Sequence, residues 1–314
     1  MSKLVSMGDC IIDFLPSAPG EMTYSAKMGG APVNVCAAVA KLGGRACFFG
    51  KLAEDMFGRY LLGEMDALGV DTSLVVRDGR CKTGLAFVDL HPDGDRDFFF
   101  YRDLPADASL SPEEVDEDIF KEGDVLHFCS ISLPPSQTRD AIKKAAACAR
   151  ERGATVSFDV NVRLNLWKSA EDLKAAIDEF LPFADIVKVT DEELDFITGL
   201  SDEKEAVKLL FGKSDNAKIV FVTKGEKGSS VYDRAFGSAD IPACPAVVAD
   251  TTGAGDCFIG SVIYKLLKGE AELTLESMIP AVRFAARACA CVVSKKGGAP
   301  SMPTLEEAEN VKER

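Results

Sequence analysis

The segment "ADTTGAGDCFIGSVIYKLLKG", Ala249–Gly269, sets two glycines around one alanine and follows them with a single carboxylate at the mouth of an amphipathic run. Backbone N–H groups of Gly253, Ala254 and Gly255 turned into one concavity would hold an anion, and a helix N-terminus adds partial positive charge there. Phosphate suits such a site. Asp256 would repel phosphate unless it has other work. The work that fits is to orient or deprotonate an attacking hydroxyl during phosphoryl transfer, while the neighbouring amides stabilise the developing charge. The same four residues also suit an ordinary helix start with an acid in its first turn, so the segment alone leaves both readings open. It is neither a GxxxxGK[ST] loop nor GxGxxG.

The elements that must position these residues can be read from the pattern. "KLVSMGDCIIDFL" reads as a strand ending near Asp13, and "MTYSAKMGG" as another stopping at Gly29-Gly30. "PVNVCAAVAKL" reads as a helix with Pro32 in its first turn and Gly43-Gly44 beyond its end. "RACFFGKL" is the next strand and "EDMFGRYLLGEMDALGV" an amphipathic helix. "KTGLAFVDLHPDGDRDFFFYRD" is a hairpin around the turn signal HPDGD. From about Leu110 onward strands and helices alternate, through "DVLHFCSIS", "TVSFDVN", "DIVKVT" and "KIVFVTKG". That order predicts a parallel sheet covered on both faces, with ligands beyond the carboxyl ends of its strands. Asp13, Asn161, Thr223 and Asp256 all fall at or just after predicted strand ends. "TLEEAENVKER" reads as a short charged terminal helix.

The totals narrow the class. With 314 residues, 47% of them hydrophobic, a large core is available. A net charge of −14 disfavours nucleic acid and anionic membranes as partners. Ten cysteines without a CxxC pair, and only two histidines, give little for zinc and read as reduced thiols. His91 reads as a solvated turn residue, His127 as a satisfied buried imidazole, and Cys289 and Cys291 as core. No basic leader with an apolar stretch opens the chain, and no apolar run nears the ~20 residues of a membrane helix. The expectation is a soluble cytoplasmic protein.

Two long stretches in register carry a resemblance. "DTTGAGDCFIGSVIYKLL" resembles the second signature of the PfkB-type carbohydrate kinases, the ribokinase-like family, and "MGGAPVNVCAAVAKLGG" resembles the first. "FDVNVRLNLW" is similar to a segment of bacterial fructokinases and 2-keto-3-deoxygluconate kinases; "KVTDEELDFITG" and "VTKGEKGSSVY" fit the nucleotide side. The resemblance covers nearly the whole chain. It implies a three-layer α/β/α domain over residues 1–314 with a mostly parallel central sheet. It also implies a small β-lid built from residues 10–30 and 80–105.

By that resemblance Asp256 is the base, and Gly253, Ala254 and Gly255 form the anion hole. Asp13, Gly30 and Asn34 hold sugar hydroxyls, Asn161 and Arg163 reach the substrate or the transferring phosphate, and Arg102 closes over the sugar. Thr223, Gly225, Gly228 and Lys188 border the nucleotide, and Glu193 places Mg²⁺ through water. The family often has a monovalent-cation site, suited to K⁺. The matching positions are Asp250, Thr252, Val292, Lys295, Gly297 and Ser301. Without the resemblance, Arg102 also reads as a surface cation, Asp13 as a turn former and Asn34 as a polar residue near a helix start. Two departures stand out: Thr190 replaces the Asn of an Asn-x-x-Glu pattern, and Val160 stands where proline is frequent. The activity implied is ATP-dependent transfer to a primary sugar hydroxyl. Fructokinase comes first, 2-keto-3-deoxygluconate kinase or another sugar kinase is the alternative, and a non-catalytic sugar-binding regulator is the rival of another class. Lid-to-lid homodimers are common in the family, and Phe87, Val88, Phe98 and Phe100 are the apolar lid residues suited to that contact or to packing within their own domain.

Overall fold

The first apolar run divides at a glycine. Leu4–Met7 forms β1, buried throughout. Gly8, at φ 144°, turns the chain out of that sheet, and pairing resumes in a different sheet as β2 (Ile11–Pro16). Asp13 therefore lies inside β2 rather than at the end of the first strand.

The computed structural model describes residues 2–90 and 96–312. The HPDGD turn with His91, and the side chain of Phe98, lie outside what is described. After β2 come β3 (Tyr24–Gly29), α1 (Ala31–Lys41), β4 (Ala46–Phe49), β5 (Lys51–Ala53) and α2 (Met56–Ala67). Next are β6 (Val76–Asp78), β7 (Leu85–Leu90) and β8 (Arg96–Tyr101). The alternating part is β9 (Val125–Cys129), α3 (Gln137–Glu151), β10 (Thr155–Asp159), α4 (Ala170–Phe180), β11 (Ile186–Thr190), α5 (Asp191–Thr198), α6 (Glu203–Lys213) and β12 (Ile219–Thr223). The chain ends in β13 (Ser229–Asp233), β14 (Ser238–Ile241), α7 (Ala254–Leu267), α8 (Leu275–Val293) and α9 (Leu305–Glu309).

The main sheet runs β14-β13-β12-β11-β10-β9-β1-β4. Its strands from β4 to β12 are parallel, and β13 and β14 return antiparallel. Side chains alternate across it: Leu4 enters one core cluster with α1, α7 and α8, while Val5 and Met7 enter the other with α3 and α4. This is the ribokinase-like arrangement of a large, mostly parallel sheet with helices on both faces, accompanied by a smaller sheet.

The smaller sheet has the order β3-β2-β7-β8. Its strands join the main body at Gly8, Gly30, Gly84 and Arg102. A third, two-stranded parallel sheet, β5 with β6, was not foreseen. The β-compatible run before α7 is no strand either: Val247 is 86% and Val248 63% exposed. Pro242 and Pro245 remove two ladder donors from that stretch.

Seven of the nine described helices begin with an Asp, Ser or Thr whose side chain accepts a first-turn N–H. The exceptions are α1 and α7, which begin at Gly30 and Gly253 without a side-chain cap. These two helices carry the two signature segments, and their N-termini are left for something other than the chain's own side chains. Among the described residues no helix is long and apolar enough to cross a membrane.

Candidate active site

Asp256 sits in the first turn of α7, 7% exposed. Asn34, buried on α1, donates from Nδ2 to Asp256 Oδ2 at 2.8 Å. Burial pushes the Asp256 carboxyl above the ordinary range; Asn34, Lys188 and Arg163 oppose that, and Asp9 adds to it. A raised pKa suits a group that must take a proton near neutral pH. Gly253 adopts the left-handed conformation, φ 79°, that opens the helix. The Ala254 N–H donates to the Thr251 carbonyl at 3.2 Å, and among the described residues the Gly255 and Asp256 amides take no backbone carbonyl. The amides left without a backbone acceptor at this terminus are therefore those of Gly255 and Asp256, with Ala254 serving the turn.

Behind this terminus lies a buried ion pair. Lys188 Nζ bonds Asp159 Oδ1 at 3.1 Å, with side chains 4% and 0% exposed. Parallel register sets Asp159 of β10 beside Lys188 of β11. Burial works against the Lys188 charge, but Asp159, Glu193 and Asp256 outweigh it and hold the ammonium above its ordinary value. Burial lifts the Asp159 carboxyl to about 7 despite Lys188, with Glu193 and Asp256 repelling it further. A Cβ on Gly255 would stand 3.1 Å from Lys188 Nζ, so the ammonium lies beside the backbone that opens α7.

The other wall comes from the smaller sheet. Asp13 packs its carboxylate against Gly29, where a Cβ would meet Oδ2 at 2.1 Å. Burial, then the charge of Asp9, lifts its pKa to about 7. Asp9 is 4% exposed; its backbone N–H donates to Ser132 Oγ, and that hydroxyl donates back to Asp9 Oδ1 at 2.8 Å. A Cβ on Gly30 would come 2.5 Å from the Asp9 carbonyl oxygen, which ties the α1 terminus to this corner. Arg102 pairs with the buried Asp107, and the charge of Asp9 acts on it. Asn161, with φ 37° and its N–H on Asp159 Oδ1 at 3.2 Å, turns the chain after β10. Arg163 is exposed, and its charge reaches both Asp9 and Asp256.

A description of known families matches residues 1–305 as a pfkB family carbohydrate kinase. The chain belongs to the pfkB family of carbohydrate kinases. Similar proteins include probable fructokinase-4 of Arabidopsis thaliana, 41% identical over 317 residues, covering 99% of this chain and 96% of its own. Fructokinase of Vibrio cholerae, crystallised with fructose, ADP and calcium ion bound, superposes with a TM-score of 0.90 at 31% identity and 99% coverage of both chains. Aminoimidazole riboside kinase of Salmonella enterica, complexed with aminoimidazole riboside and an ATP analog, gives 0.88 at 27% identity, again over 99% of each chain.

In this carbohydrate kinase the residues expected on the nucleotide side lie next along the sheet. Thr223 ends β12 beside Thr190 of β11 and donates to the Val189 carbonyl at 3.4 Å. Gly225 and Gly228 shape the turn that follows, both at positive φ. Glu193 is buried, and each carboxylate oxygen accepts an amide: Oε1 from Val162 at 2.8 Å, Oε2 from Thr190 at 2.9 Å. It thus completes a capping box with Thr190, so the Asn-to-Thr departure keeps a cap. Each oxygen retains a lone pair that a metal-bound water could use.

The residues matched to the cation site meet around two loops. Asp250 Oδ1 accepts from the Thr252 N–H and hydroxyl, and Oδ2 accepts from the Gly297 N–H at 3.1 Å. Ser301 donates to the carbonyls of Gly297 and Gly298, and the Lys295 N–H to that of Val292. The Lys295 ammonium pairs with Glu307 at 2.7 Å, which offsets its charge. A Cβ on Gly298 would meet Asn34 Oδ1 at 2.9 Å, which places these loops directly behind the Asp256–Asn34 pair.

Sequence reasoning missed Asp9, Ser132 and Asp159. Asp159 had a readable signal, an acid ending a strand beside one that carries a buried-type lysine. Ser132 had none, since only folding brings it to Asp9. His127 is a satisfied core group: it is fully buried, its Nδ1 lies 3.0 Å from Ser157 Oγ, and burial pushes its pKa down to about 3.

The raised acids give a pH dependence. Between the ordinary 3.8 and about 7 the folded chain holds protons on Asp13 and Asp159 that the unfolded chain has released, so folding stability falls as pH rises across that window. With the roles the resemblance implies, activity runs the other way, because Asp13 must be ionised to accept hydrogen bonds from sugar hydroxyls and Asp256 to take a proton. The kcat/KM for sugar is expected to rise through pH 7; a flat profile from pH 5.5 to 8 would contradict the assigned environment of Asp13.

Proposed function

We propose that this kinase is an ATP-dependent fructokinase that transfers the γ-phosphoryl group to a primary hydroxyl of fructose. The observation that carries the reading is the buried Asp256 carboxylate beside amides that, among the described residues, take no backbone carbonyl, in a helix that begins on glycine. Identities of 39–41% to plant fructokinases over nearly the whole chain support the choice of sugar. Asp13, Gly30 and Asn34 would hold the sugar, with Arg102 anchoring the lid edge. Asp256 receives the hydroxyl proton, and the Gly255 and Asp256 amides face the phosphoryl group. Thr223, Gly225 and Gly228 border the nucleotide. Mg²⁺ would be held through water by Glu193 and supplies charge neutralisation when bound. The carbonyl-rich loops with Asp250, Thr252, Val292, Gly297 and Ser301 suit K⁺, an ion that accompanies fructose and ADP in one Vibrio cholerae fructokinase structure. Release of ADP over a panel of fructose, ribose and 2-keto-3-deoxygluconate tests the sugar; faster turnover of the keto-acid than of fructose would overturn it.

The smaller sheet would serve as the lid over the sugar, excluding water as a competing acceptor. We place the protein in the cytoplasm as a homodimer joined through that lid. Phe14 stacks on Phe87 at 4.6 Å, and Tyr24 and Tyr101 meet Phe87 edge-on. Tyr24, Phe87 and Tyr101 edge a concavity of about 520 Å³ in which Phe99 is 56% and Tyr101 65% exposed. Strand alternation puts the side chains of Val88 and Phe100 on the opposite face, with Asp13, and of the described candidates Phe87 and Val88 line the concavity. Tyr101→Glu is expected to yield monomers by analytical ultracentrifugation; a variant that remains dimeric would rule this face out.

A further inference from the structure

A buried acid ties the smaller sheet to the main body. Arg102 follows β8 directly, and its guanidinium bonds the Asp107 carboxylate. Asp107 is 3% exposed, in the single helical turn Ala106–Ala108. That turn is fixed to the body by Thr138 of α3, which donates its hydroxyl to the Asp107 carbonyl at 2.8 Å and accepts the Leu110 N–H at 3.1 Å. The carboxylate also lies against Gly84, where a Cβ would stand 2.8 Å from Asp107 Oδ1. Gly84 leads into β7 and Arg102 leads out of β8, so one acid held by the body meets both ends of the β7–β8 pair.

Stability does not account for this acid. Burying an ion pair gives no dependable gain over apolar residues of similar size. Asp107 Oδ1 and Arg102 Nε are buried without hydrogen-bond partners, and such groups carry a desolvation cost. What the pair supplies is direction. A free arginine side chain samples many rotamers; a carboxylate fixed to the body selects one. In that one the guanidinium keeps 20% of its side chain exposed and feels the charge of Asp9, which also acts on Asp13.

We propose that Asp107 is a positioning residue that holds the Arg102 guanidinium at the sugar end of the site and so fixes the β7–β8 edge of the lid over a bound sugar. The proposal rests on the sugar-kinase reading and deepens it by naming what holds the lid edge down. Asp107 acts through Arg102 and takes no part in proton or phosphoryl transfer. Sugar affinity should therefore depend on it, and the chemical step should not.

The test is a double-mutant cycle on the full chain, read as the KM for fructose, the KM for ATP and kcat. Asp107→Asn is expected to raise the KM for fructose by about tenfold, the scale of one charge-assisted hydrogen bond. The KM for ATP and kcat should each stay within about threefold of wild type. Arg102→Ala should raise the fructose KM at least as much, and Arg102→Ala/Asp107→Asn should be no worse than Arg102→Ala alone, because the acid acts only through the arginine. The double variant leaves no buried acid unpaired and so supplies the folded control. A wild-type fructose KM in Asp107→Asn, or losses that add in the double variant, overturns the proposal. Unfolding of both Asp107 variants overturns it as well, since the acid would then serve stability. Solvent exchange of the Arg102 Nε–H, followed by heteronuclear NMR without ligands and assigned by its loss in Arg102→Ala, should quicken in Asp107→Asn; an unchanged rate overturns the positioning. If the wild-type protein phosphorylates no sugar, the fructokinase reading fails, while the Nε–H exchange still decides whether Asp107 holds Arg102.

Discussion

Asp256→Asn is expected to lower kcat with fructose by about 10⁴-fold, the upper end of what a general base contributes. Nucleotide affinity should persist. The substitution is close to isosteric, and the new amide oxygen still accepts the Asn34 Nδ2–H that now bonds Asp256 Oδ2 at 2.8 Å. The α7 terminus therefore keeps its shape and its amide donors. What disappears is the ability to take the hydroxyl proton. Relief of a buried charge should leave thermal stability unchanged or raised, because burial is the largest cause of the shifted carboxyl. Coupled ADP release measures the first effect and calorimetry with ADP the second. A variant that turns over like the wild type would remove Asp256 from the mechanism.

Gly253→Ala is expected to cost about 10³-fold in kcat, the upper scale for disturbed charge-stabilising donors. Its φ of 79° lies where an L-residue is strained by about 1–2 kcal/mol. The added Cβ would also stand 3.2 Å from Met302 Cε and 3.3 Å from Gly298 Cα. The methionine tip can yield, but the Gly298 backbone belongs to the loops tied to Asp250 through Gly297. Relief must therefore come from the α7 terminus, which tilts the Gly255 and Asp256 amides away from the phosphoryl position. A kcat within about threefold of wild type would show that these donors contribute little.

Most of the architecture was legible because its signals are local. The alternation after Leu110, the Pro32 and Gly43 punctuation of α1, and the glycine start of α7 each follow from residues within one turn or one strand. The errors also have local causes. One apolar run became two strands because Gly8 breaks it, and a β-branched pair near Val247 formed no strand because nearby prolines leave too few donors. At the site, residue types pointed to Asp256 and the resemblance to Asn34, but neither foretold that the amide of Asn34 would grip the acid. Pairings such as Asp9 with Ser132, 123 positions apart, and Lys188 with Asp159 depend on strand order. Sequence spacing carries no trace of the first, and of the second only the acid that ends its strand.

The smaller sheet leaves the body at four places, three of them glycines and the fourth the Arg102 that is bonded to Asp107. Gly8 and Gly30 flank Asp9 and the first turn of α1, so under the proposed lid reading the pivots and the grip on the sugar are the same few residues. A cover hinged in this way cannot swing shut and leave the cargo untouched, nor seize the cargo while standing open. A sugar lacking the hydroxyl that meets Asp13 would therefore leave the cover ajar, and ATP would be spent on water instead.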